Sequence, residues 1–192
     1  MFTEYIPAEN AWIPIEADGY MYIDCLWVSG SFKGHGYSTD LLNDCIEDSK
    51  GKGKKGLCIL SAEKKKPFLA DPKFLKYKGF AVSDEADNGI QLMHLPFDNG
   101  AETPKFKECA RHPHIEEMGY VLYYTSQCPF NAKYVPVLEQ TAKDNNMLLF
   151  TPQNRVPAAR LLAGKVNSAS EGASPKANFN ATERYCSRVA DP

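Results

Sequence analysis

Residues 24–49 read D-C-L-W-V-S-G-S-F-K-G-H-G-Y-S-T-D-L-L-N-D-C-I-E-D-S, and the fold turns on how they are understood. An apolar strand runs to Val28. A glycine-bearing turn, Lys33-Gly34-His35-Gly36-Tyr37-Ser38, then opens directly into an amphipathic helix. The first N–H groups of a helix have no intrahelical acceptor, and they lie at the positive end of its dipole. Such a turn is an anion site made of main chain, suited to a phosphate or pyrophosphate. A Cβ at Gly34 or Gly36 would hold that ligand away from the amides. Taken alone, the same pattern also describes an ordinary strand-to-helix loop.

Upstream, Asp18-Gly19 marks a turn and Tyr20 to Val28 makes a long strand. Regular alternation places Tyr20, Tyr22, Asp24, Leu26 and Val28 on one face and Met21, Ile23, Cys25 and Trp27 on the other. Both faces are largely apolar, as in a central strand covered on two sides. Asp24 is the exception: a hydrogen-bonded strand residue, or a polar group beside a site. Before it, F-T-E-Y-I at 2–6 reads as a short strand ended by Pro7.

Downstream, the helix carries Tyr37, Leu41, Leu42, Cys45 and Ile46 on one stripe and Asp40, Asn43, Asp44, Glu47 and Asp48 on the other. Lys50-Gly51 marks its end, with lysine favourable at the negative pole. Leu57-Cys58-Ile59-Leu60 is a short apolar strand. Lys64-Lys65-Lys66 then precedes Pro67, which suits a first helical turn, so a second helix is expected over 67–78. It carries Phe68, Leu69, Phe74, Leu75 and Tyr77 and stops at Gly79-Phe80, a glycine cap followed by an apolar residue that packs back. Strands at 81–82 and 90–95 complete the run.

The order V-x-x-x-F-K-G-H-G-Y-S-x-x-L-L resembles the acetyl-CoA motif of the GNAT family of N-acetyltransferases, Arg/Gln-x-x-Gly-x-Gly/Ala. Lys33 stands where that family has Arg or Gln, Gly36 matches, and Ser38 replaces the last small residue. Phe-Leu-Lys-Tyr-Lys-Gly-Phe at 74–80 resembles its second motif. Residues 20–97 thus resemble the C-terminal two-thirds of a GNAT domain. A complete domain of that family has further strands and two helices before the cofactor strand, whereas residues 1–19 precede it here. The resemblance therefore implies a partial, N-terminally truncated GNAT domain over 1–97, with a mixed α/β sheet and one uncovered edge. An open edge invites pairing, and a homodimer covering it is one expected partner.

Residues 98–119 are polar and turn-rich and read as a linker. Strand 120–125, Cys128-Pro129-Phe130-Asn131, a helix over 132–143 despite Pro136, and strand 147–150 resemble the opening of a thioredoxin-like domain. A GNAT module joined to such a domain resembles the YoaP-type acetyltransferases. The second, incomplete domain is expected over 120–165. Residues 166–192 hold too few large apolar residues to pack and read as a disordered tail.

Bulk properties narrow the function. With 43% hydrophobic and 24% charged residues the chain affords a core, and its net charge of −2 without a basic face disfavours nucleic acid. No run of 18 apolar residues suggests a membrane span, and no signal peptide is visible. Six scattered cysteines fit a reduced, cytoplasmic protein. Cys109-x-x-His112-x-His114 has metal-like residue types but lacks a fourth ligand at a recognised spacing, so no metal is expected.

What the resemblance implies chemically is direct acetyl transfer from acetyl-CoA, as co-substrate, to the amine of a small molecule or peptide. Lys33, Gly34, His35, Gly36, Tyr37 and Ser38 would hold the cofactor. Leu26, Trp27 and Val28 match the splayed cofactor strand, where a backbone N–H polarises the thioester carbonyl. The family's usual tyrosine acid falls on Leu75. Tyr77, about 200° further round the helix, is the substitute, and Asp24 or Glu4 is the candidate base. Two other readings stand: a non-catalytic CoA-binding or interaction module, and a thiol-binding protein using Cys128. The Asn131 position removes dithiol exchange through that motif.

Overall fold

Strand β3, Tyr20–Trp27, is the spine of the first unit, and its neighbours decide where the sheet closes and where it opens. The computed structural model describes residues 1–67, 69–111, 120–122 and 131–150. The chain divides into two units, one of residues 1–11 and 15–106, the other of 12–14 and 107–192. In the first, β1 (Phe2–Pro7), β3, β4 (Gly56–Ala62), β6 (Ile90–Pro96) and β5 (Ala81–Ala86) form one sheet in the order β1-β3-β4-β6-β5. Only the β3–β4 pair is parallel; the other three are antiparallel. A mixed α/β sheet of the expected kind therefore forms.

A parallel pair needs a crossover, and α1 (Tyr37–Gly51) supplies it. Its apolar stripe settles on one face of the sheet. Leu42 and Cys45 of α1 join Met21 and Ile23 of β3, Leu57 and Ile59 of β4, Met93 of β6, and Leu75 and Phe80 from the α2 segment, all buried together. The opposite face of β3 and β4 is buried as well, at Tyr20, Tyr22 and Cys58. At Gly56 a Cβ would lie 2.6 Å from the Tyr20 ring and from the Leu95 carbonyl oxygen, so the strands close tightly at this end.

Three expectations are revised. Strict alternation along β3 fails, because Glu4 pairs with Cys25 while Tyr5 pairs with Ile23. Asp24 is thus the extra residue of a β-bulge. Leu26 consequently packs with the helix-side core instead of sharing a face with Tyr20 and Tyr22. The strand itself ends at Trp27, before Val28. Helix α2 spans Pro72–Tyr77 rather than 67–78. Pro72, not Pro67, takes the first turn, because Asp71 caps it by accepting a hydrogen bond from the Lys73 amide at 2.9 Å. Its other end closes as expected: the Phe80 amide donates to the Leu75 carbonyl at 3.0 Å and Phe80 is buried.

Within the expected linker, β7 (Lys105–Phe106) pairs with β2 (Ile15–Glu16). The Phe106 amide donates to Asp84 Oδ2 at 2.8 Å and its side chain is buried. A short helix, α3 (Glu108–Arg111), follows in the second unit. There β8 (Tyr120–Val121) and β9 (Leu149–Phe150) form a parallel pair, with α4 (Asn131–Asp144) between them in sequence. Leu122 and Val135 make its small core with Leu138 and Leu149. The helix continues through Pro136, as expected. Cys128, His112, His114, residues 151–165 of the expected second domain and the expected tail over 166–192 lie outside the described residues.

Candidate active site

The main-chain anion site can be built outward from Gly36. This residue is the N-cap of α1, at φ +85° and ψ −10°, and it gives the helix no side-chain cap. Gly34 is also left-handed, at φ +83°. That conformation favours glycine at both positions, and an added Cβ at either would meet nothing within 4 Å. The turn therefore faces open space. Thr39 and Asp40 donate back to the Gly36 carbonyl at 2.7 and 3.3 Å. Among the described residues, the amides of Gly34, His35, Gly36, Tyr37 and Ser38 carry no hydrogen bond. Five adjacent donors thus stand at the positive end of a fifteen-residue helix.

The approach to this turn is fixed by local contacts. Phe32 and Lys33 donate to the carbonyls of Ser29 and Gly30, a single helical turn that brings the chain round. The Tyr37 ring meets Phe32 edge-on at 6.2 Å and lies 5.9 Å from His35. Lys33 is exposed and forms no ion pair among the described residues.

Beside it the sheet splits. β3 and β4 pair only from Tyr20 to Ile23 against Gly56 to Ile59. Past that point β3 stays with β1 and β4 stays with β6. Asp24, Cys25, Leu26 and Trp27 consequently have no ladder to β4. The split lies at the C-terminal ends of the two parallel strands, which is also the end of β3 from which the chain enters α1. Ligands of open α/β sheets bind in such a crevice. Leu26 and Val28 are half-buried there, and Trp27 is 45% exposed with its ring 6.0 Å from Phe2. The cofactor residues expected from sequence thus fall on two adjoining features, the split strand and the turn.

Asp24 occupies the split through its bulge. Burial pushes its carboxyl up to about 6 from 3.8, and the charge of Glu4 adds to the effect. Glu4, also half-buried, is raised in turn by burial. Sequence named Glu4 as a candidate base, but nothing local in it shows that a bulge sets it against Asp24. Tyr77 is placed differently. It ends α2 at 82% exposure, with Lys78 Nζ 5.1 Å from its ring centre. Leu75, where the resemblance places the acid, is fully buried in the core. Of the lysine run, Lys65 pairs with Asp71 at 2.9 Å. Among the described residues no group of three or more histidines, cysteines or acids is placed to hold a metal ion.

Comparison with known proteins adds a relative. Over 130 residues the chain is 45% identical to YoaP of Bacillus subtilis (strain 168), described as an uncharacterized N-acetyltransferase. This chain is similar to an N-acetyltransferase. The match takes in 68% of the chain and 52% of YoaP, so the chain spans about half the length of that relative. No protein-family profile matches the sequence, and no solved structure does. No helix among the described residues is long and apolar enough to cross a membrane.

Proposed function

We propose that this chain binds acetyl-CoA at the Lys33–Ser38 turn and passes its acetyl group directly to a primary amine. The observation that carries the reading is the uncapped start of α1, with five unpaired amides beside the split of β3 from β4. The similarity to YoaP supports acyl transfer as the chemistry.

In this reading the pyrophosphate of the donor rests on the amides of Gly34 to Ser38, and Lys33 adds positive charge. The pantetheine chain runs along the edge of β3 that β4 has left. A backbone N–H within Leu26–Val28 polarises the thioester carbonyl as it becomes tetrahedral. Asp24 takes a proton from the incoming ammonium. The amine lone pair forms the C–N bond, the C–S bond breaks, and the electron pair leaves with sulfur. The second amine proton passes through water to the thiolate, and Asp24 returns its own proton to solvent. Tyr77 is the weaker candidate for acid, because it stands 82% exposed at the end of α2.

Titration calorimetry with acetyl-CoA tests this on the wild type, Gly36→Ala and Gly36→Glu. Both variants strain the turn, but only the second sets a negative charge among the amides. Gly36→Glu is expected to weaken binding by about a hundredfold, equivalent to losing charge-assisted hydrogen bonds worth roughly 3 kcal/mol. Equal heats for wild type and Gly36→Glu would overturn the proposal. One observation favours a second reading, a CoA-binding module without catalysis: a buried leucine holds the family's acid position. Binding without thiol release across a panel of amines would select it.

A further inference from the structure

A β-bulge sets two residues of one strand against one of its partner. Here Asp24 and Cys25 together stand against Glu4. Among the described residues neither Asp24 nor Glu4 has an ion pair or side-chain hydrogen bond, and both are half-buried. The titratable groups around Asp24 are Tyr22 and Cys25 on β3, Glu4 on β1, and Cys58 on β4 opposite Tyr22. On α1, Asp44 and Asp48 act on Tyr5 and not on Asp24. Among the described residues no cation offsets the pair, and Glu4 is the charged group whose field reaches Asp24.

We propose that Glu4 is a positioning residue for the transfer: held opposite the bulge, it acts through Asp24 as the second member of a carboxylate pair that takes the proton from a cationic alkylamine. The inference rests on the acetyl-transfer reading and narrows its acceptor. Two carboxylates in a partly dry site repel, and the proton that relieves them is held by the pair. Such a pair attracts an ammonium group. Burial first, and the Glu4 charge after it, also make Asp24 accept a proton more readily than a solvated aspartate, by roughly a hundredfold for a change from 3.8 to about 6. An arylamine, neutral at pH 7, needs neither service. An alkylamine, almost wholly protonated there, needs both.

Two measurements test this on the full chain. The first follows the carboxyl resonance of Asp24 by NMR in protein labelled with 13C-aspartate, assigned with Asp24→Asn. Glu4→Gln is expected to lower its midpoint by about half a pH unit or more, while Glu4→Asp, which keeps the charge, leaves it within a few tenths. The second compares kcat/KM for thiol release from acetyl-CoA with n-butylamine and with aniline. Glu4→Gln is expected to reduce the first about tenfold, chiefly in kcat, and to leave the second nearly unchanged. Should Glu4→Gln not fold, Glu4→Thr carries the same test with a better strand former. An unmoved midpoint, or an equal loss with both amines, overturns the role of Glu4. Failure to bind acetyl-CoA removes the transfer reading and this role with it, whereas binding with an unmoved midpoint removes this role alone.

Discussion

The two helices of the first unit meet the same problem at their first turns and resolve it in opposite ways. Helix α2, only six residues long, has its leading amide satisfied by Asp71, whose carboxylate is held in turn by Lys65 at 2.9 Å. Helix α1, more than twice that length, starts at a left-handed glycine that has no side chain to offer. A carboxylate cap is worth about 1 kcal/mol over alanine but only a few tenths over glycine, and the left-handed backbone at Gly36 suits no side chain, so the longer helix keeps its start uncapped at small cost. The omission fits a turn that keeps its donors for a guest. One helix start serves the fold, and the other is left for a ligand.

The sharpest way to break this contrast is to exchange the two solutions. Gly36→Glu should cost about a hundredfold in acetyl-CoA affinity by calorimetry, whereas Asp71→Ala should leave affinity unchanged. Equal losses in both variants would mean that the two helix starts do not differ in purpose.

Next in size is a contrast of sign between two aspartates. Asp24 has its carboxyl raised by burial and by Glu4, while Asp71 has its own lowered, first by Lys65. A raised carboxyl means that the folded state binds the proton more tightly, so stability falls as pH climbs from 3.8 through about 6. Asp24→Asn should therefore stabilise the protein by about 1–3 kcal/mol at pH 8, and by almost nothing below pH 3.8, in denaturant melts at each pH. It should also slow thiol release, since the base is gone.

Asp71→Ala should run the other way. Its cost of about 1 kcal/mol should be full above the ordinary aspartate value and shrink as pH falls through the lowered folded one. Melts that show both aspartates with the same pH trend would contradict the assignment of one to the site and the other to the scaffold. The smallest effect belongs to Lys33. Lys33→Ala should weaken acetyl-CoA only a few-fold, by about 0.5 kcal/mol, and the difference should fade in high salt.

Much of this was legible in the sequence, and the parts that were not share a cause. The apolar runs at 20–28, 57–60 and 90–95, the stripe from Leu41 to Ile46, and the Gly79-Phe80 cap are local signals, and the structure forms each element near its expected place. The start of α2 is expected at Pro67, a residue that suits a first helical turn, but the Asp71 cap gives that place to Pro72. The bulge at Asp24 left no trace because D-C-L-W keeps an apolar residue available for either face, so only the pairing with Glu4 and Tyr5 reveals it. β7 was hidden for a similar reason. Two residues within polar text become a strand only because Phe106 finds a buried place and Asp84 takes its amide. At the site, the turn could be anticipated from residue order and the split strand from the resemblance, but the pairing of Glu4 with Asp24 is set by register, which no single stretch records.

That register has a further consequence. Because Asp24 is supernumerary in the ladder, Ile23, Cys25, Leu26 and Trp27 would keep their present facings if it were absent. The position is architecturally spare: the sheet neither counts on it nor constrains it. A lineage of such chains could alter, or even delete, this carboxyl group without re-phasing a strand, and so change the reactivity of the crevice while the framework stays as it is.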